Sequence, residues 1–147
     1  MTPDVNLLVA ASRADHPLHR PALAWLGDAI EQCRAGARLL ILPMVATGFL
    51  RVATHPKVFV EPTPPDDAIS FMEALLAAAG SEMPSLGGEW PVLCQLCRAG
   101  SLSGNDVPDA WIAAAVTALG DHLYTFDRDF TRLLPRRACT VLAGARA

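Results

Sequence analysis

The chain has no apolar run long enough to cross a bilayer. Its longest stretch, Leu39 to Leu50, is broken by Pro43, Thr47 and Gly48, whereas a spanning helix takes about 20 apolar residues. Its opening, Met1-Thr2-Pro3-Asp4, lacks the cationic start and apolar core of a secretory signal. The cytoplasm is therefore the expected compartment, with no membrane partner. Positive charge is not in excess either: 12 Lys plus Arg stand against 15 Asp plus Glu, for a net −3. The basic footprint of many nucleic-acid binders is missing. That shortfall does not exclude a nucleic acid, because carboxylates that hold a divalent cation lower the formal charge while attracting phosphate. Cysteine is scarce, and Cys94-Gln95-Leu96-Cys97 has no second close pair to complete a zinc tetrad; small buried hydrophobes are the plainer reading. His16, His19, His55 and His122 form no HxxxH or HxH, and Ser12, Ser81, Ser101 and Ser103 lie in no nucleophile elbow. Neither a GxxxxGK nor a GxGxxG loop is present.

What is there is apolar: 52% of the 147 residues, with a mean hydropathy of +0.29. The length suits one domain over residues 1–147, able to bury roughly 68–70% of its unfolded surface without staples. The composition also leaves room for an apolar face that meets a partner.

Strand-like and helix-like segments alternate. Short strands are expected at Pro3–Leu7, Arg38–Leu42, His122–Phe126 and Thr140–Leu142, with Ser81–Met83 as a further option. Helices are expected at Leu18–Arg34, from Pro43 to Leu50 or Ala53, at Asp66–Ala79, Glu89–Arg98 and Val107–Leu119, with a helical turn at Arg128–Leu133. Such alternation argues for an α/β fold of three layers, a mainly parallel central sheet flanked by helices. Trp25, Trp90 and Trp111 all fall within helices and are expected as core or interface anchors rather than base-stacking platforms.

Three acids fall where such a sheet would gather them. Asp4 closes the first strand, Asp109 opens an alanine-rich helix and Asp127 follows the late strand. Each has a local explanation: Asp4 could cap a helix or end a strand, Asp106 is a plausible N-cap with Asp109 as its capping-box partner, and Asp127 could cap the turn at Arg128. Open α/β sheets, however, bind ligands beyond the carboxyl ends of their strands. Carboxylates about 4 Å apart repel by roughly 4 kcal/mol at an effective dielectric of 20, so a cluster calls for protons or a cation. Hard oxygen donors favour magnesium or manganese.

Four segments carry a resemblance: Asp4-Val5-Asn6-Leu7-Leu8-Val9-Ala10, Phe49-Leu50-Arg51-Val52-Ala53-Thr54-His55-Pro56, Asp109-Ala110 with its helix, and Thr125-Phe126-Asp127-Arg128-Asp129-Phe130. In this order they resemble the PIN-domain ribonucleases, and most of all the VapC-type toxins of toxin–antitoxin pairs. The resemblance implies a PIN-like domain and a magnesium-dependent endoribonuclease, with manganese as a substitute. It further implies a homodimer, silenced by a VapB-type antitoxin and cutting RNA of the tRNA or rRNA class. Asp4, Asp109 and Asp127 match the catalytic, metal-holding acids, with Asp129 as an additional ligand. Asn6 and Thr125 match supporting polar residues, Asp106 stands beside them, and Arg51 and Arg128 are candidates for RNA phosphate. One position departs: many members carry a glutamate just before Phe49, where this chain has Gly48. Asp106 or Asp129 could replace that ligand, water could fill the gap, or activity could be weakened, leaving a scaffold that binds RNA or protein without cleavage. A haloacid-dehalogenase-like phosphohydrolase wants a second Asp where Asn6 stands and a late lysine, yet no lysine follows Lys57. A receiver domain fails for want of the same lysine.

Overall fold

The computed structural model describes residues 1–144. Strand β1 is only Thr2–Pro3, because Asp4 turns the chain: its backbone is extended and its side chain accepts from Leu7 N–H, capping helix α1, Val5–Ser12. The expected strand through Leu7 is thus mostly helix. Leu7–Ala11 are all buried, and an unbroken apolar run reads as strand or buried helix alike.

Helix α2 spans His19–Arg34 and presents Ala22, Leu26, Ala29 and Cys33 to the core. Strand β2 is Leu39–Leu40, and α3, Pro43–Ala53, begins on Pro43, whose missing N–H is no loss in a first turn. Helix α4 covers Pro65–Ala77, with Phe49 and Phe71 stacked at 5.2 Å to join α3 to α4. Strand β3 is Ser81–Glu82, and α5, Glu89–Gly100, lies along α6, Asp106–Leu119. Ala110, Ala113, Ala114 and Ala115 are buried on α6, small enough to bring that helix close against its neighbours. Gly120 ends it in a left-handed turn (φ 62°), a conformation that favours glycine. Asn105 rather than Asp106 occupies the cap position of α6, and no side chain caps it; Asp106 is already in the first turn. Strand β4 is Leu123–Thr125, a 3₁₀ turn covers Arg128–Arg132, and β5 is Cys139–Val141.

Every strand pairing among the described residues is parallel, in register Thr2 with Leu123, Leu123 with Cys139 and Leu39 with Ser81. The order is β1–β4–β5 in one sheet and β2–β3 in another. The two meet where Leu40 N–H donates to Met1 O at 2.8 Å. Helices around these very short strands complete the expected α/β architecture. No helix among the described residues is long and apolar enough to cross a membrane.

Buried Arg13 organises the loop after α3. Its guanidinium bonds Asp15, Thr63 Oγ1 and Glu61 O, and lies 3.8 Å over the Phe59 ring. Sequence reading gave no hint of this latch.

Candidate functional site

Asp4 stands at the carboxyl end of β1 with 2% of its surface exposed. Its Oδ1 accepts from Leu7 N–H at 2.9 Å and its Oδ2 from the Thr125 hydroxyl. Thr125, fully buried at the end of β4, also accepts from Asp127 N–H at 2.8 Å. One hydroxyl therefore ties the first acid to the backbone of the third, across two neighbouring parallel strands. Asn6 is exposed and lines the groove above; the bonds holding Asp4 come from Thr125 and Leu7 instead.

Burial pushes the Asp4 carboxyl up to about 6, against the pull of its bonds to Thr125 and Leu7, and the charges of Asp127 and Asp109 push the same way. Asp109, half-buried in the first turn of α6, is raised first by burial and then by Asp127, Asp129 and Asp106. The structure thus brings the three expected acids into one electrostatic neighbourhood, with Asp106 and Asp129 on its exposed margin. Asp127 Oδ1 caps the 3₁₀ turn through Asp129 N–H, and Asp129 reaches Arg132 at 3.4 Å. Among the described residues no three His, Cys, Asp or Glu side chains are spaced as a ready metal cage. The acids share a field rather than a finished coordination sphere. Asp127 is turned to its capping bond. The donors themselves, all carboxylate oxygen with one deeply desolvated, suit a hard divalent cation.

A groove of about 710 Å³ opens above Asp4 and Asp109. Met44, Thr47, Gly48 and Arg51 of α3 form one wall, and Val107, Pro108 and Trp111 at the start of α6 are among the residues lining the other. Arg51 is exposed there. Arg128 instead borders a separate depression with Leu18, Phe126 and Leu142. A Cβ on Gly48 would meet Val5 Cγ2 at 2.7 Å, so a side chain there would force the Val5 side chain on α1 to shift. Trp111, expected as an anchor, is 40% exposed on the groove wall, and Trp90 is 67% exposed. The place of Trp111 two residues after Asp109, in the first turns of α6 beside the acids, was the available signal. Cys94 and Cys97 are half-buried on α5 and unbridged.

Residues 1–133 match the PIN domain family. Ribonuclease VapC31 of Mycobacterium tuberculosis is 35% identical over 133 residues, covering 88% of this chain and 89% of its own. Ribonuclease VapC43 of the same species is 39% identical over 135 residues, covering 88% and 86%. A crystal structure of VapBC2 from Rickettsia felis, bound to a DNA fragment from their promoter, superposes with a TM-score of 0.61 at 16% identity. It covers 95% of this chain and 96% of that one, a likeness of fold.

Proposed function

The chain belongs to the PIN domain family, and from that membership we propose that it is a metal-dependent endoribonuclease, the toxin of a VapBC-type toxin–antitoxin pair. The observation that carries the reading is a buried aspartate, raised to about 6, that lines a groove with Asp109 and feels the charge of Asp127, in a chain similar to proteins named VapC ribonucleases.

Asp4, Asp109 and Asp127 would hold magnesium or manganese, with Asp129 and Asp106 as outer acids. A bound ion would acidify water at neutral pH and neutralise charge at the phosphate. Thr125 keeps Asp4 fixed and aimed. Arg51 on the groove wall meets the phosphate backbone. Water attacks phosphorus in line, its oxygen bonds to phosphorus as the bond to O3′ breaks, and the products are a 3′-hydroxyl and a 5′-phosphate. No histidine or side-chain nucleophile is needed. The substrate class we propose is tRNA or rRNA, and the partners are a VapB-type antitoxin and a second copy of the chain.

The test is to incubate antitoxin-free protein with total bacterial RNA and magnesium or manganese, and to map new 5′ ends. Discrete cuts that vanish with EDTA and in Asp109→Asn support the nuclease. A second reading, a scaffold that binds without cutting, is favoured by one observation: Gly48 stands where many family members carry an acid, and a Cβ there would press on Val5. Folded, metal-supplied protein that makes no cuts would favour that reading over the nuclease.

A further inference from the structure

We infer that the groove beside the acids is a nucleobase pocket, in which an unstacked base of the substrate lies on the exposed Trp111 ring next to the phosphate that is cut. The inference rests on the ribonuclease reading and extends it to a substrate class: RNA whose cleavage site has a base free to leave its stack.

The groove, about 710 Å³, falls in the range that encloses small organic ligands. Its lining is arranged like a nucleotide's own parts. Trp111 and the neighbouring Val107 and Pro108 offer an aromatic and apolar wall, Asn6 and Asn105 offer amides that can bond a base edge, and Arg51 offers a cation for phosphate. Asp4 and Asp109 mark the end where the chemistry would occur. Trp111 lines the groove with 40% of its surface exposed, leaving ring area to meet a base. Arg51 and both amides are exposed at the groove, where a nucleotide would offer each of them a polar partner. Base-on-aromatic stacking of this kind tolerates any base, so it selects for an unpaired nucleotide rather than a sequence.

The experiment uses RNA oligonucleotides spanning a mapped cut, each with one abasic position moved stepwise along the site, and compares wild type, Trp111→Phe and Trp111→Ala. In wild type, one abasic position next to the cut should raise KM about tenfold, within the usual strength of a single stack. Trp111→Ala should raise KM similarly on intact RNA and be indifferent to that abasic position, while Trp111→Phe keeps most of the wild-type preference. Thermal melting of each variant separates loss of stacking from loss of fold. Equal cleavage of every abasic RNA by wild type, or the same abasic penalty in Trp111→Ala, overturns the pocket and leaves the nuclease standing. So does a Trp111→Ala protein that cuts all RNAs normally but no longer binds its protein partner, which would assign the groove to that partner. Failure of wild type to cut any RNA strikes the ribonuclease reading itself.

Discussion

Asp4 works against the fold at neutral pH. Its carboxyl is raised from 3.8 to about 6, chiefly by burial, so the folded chain holds that proton more tightly than the unfolded one. The resulting stability is full below about pH 4, is lost as pH rises through about 6, and stays lost above it. The cost of the ionised form is of order 3 kcal/mol. Asp4→Asn should therefore melt several degrees higher than wild type at pH 7.5 and about equally at pH 4, since asparagine caps helices as well as aspartate does. Cleavage by that variant should be abolished. Scanning calorimetry at both pH values, with the RNA assay alongside, checks this. Thr125→Val should do the reverse. It deprives Asp4 of a donor and leaves Asp127 N–H without its acceptor, so a loss of about 1–3 kcal/mol is expected in urea titrations. The acids themselves were legible in the sequence because each stands at an element boundary. The depth of Asp4 was not, because burial comes from α1 and β4, which meet only in the folded chain.

Most of the regular elements were legible from their punctuation. Pro43 starts α3 and Gly120 ends α6, and both act through backbone geometry that tertiary contacts do not override. The exception was α1, whose apolar run carries no period and whose cap is the very acid that drew attention as a site residue. The spacing of α1 and α3 was also invisible, although it decides what Gly48 can become. Gly48→Glu should not recover a fourth ligand. Its Cβ is driven into Val5, at a cost of about 1–3 kcal/mol for overpacking, and cleavage should fall or stay unchanged. Combining it with Val5→Ala should restore most of the lost stability, a coupling that a double-mutant cycle measures. Arg13 acts at the same scale. Arg13→Ala should release the loop over residues 55–64, seen as lost hydrogen-exchange protection at Thr63, whose N–H donates to Ala53 O, while the strand amides stay protected.

Across the whole molecule, the proposed metal would couple to stability through the same carboxylates. If Asp4, Asp109 and Asp127 hold the ion, saturating manganese should raise the melting temperature of wild type by mass action. The rise should be larger at pH 7.5 than at pH 5, where Asp4 keeps its proton, and should disappear in Asp4→Asn. A rise of equal size in Asp4→Asn would place the ion elsewhere. The bond between Thr125 and Asp4 joins residues 121 positions apart, and β1 takes β4 as its ladder partner. A ribosome making this protein must therefore release more than 125 residues before the first acid finds its support or the third arrives. Until then the three acids stay apart on the nascent chain, and any chemistry that needs all of them waits for that closure.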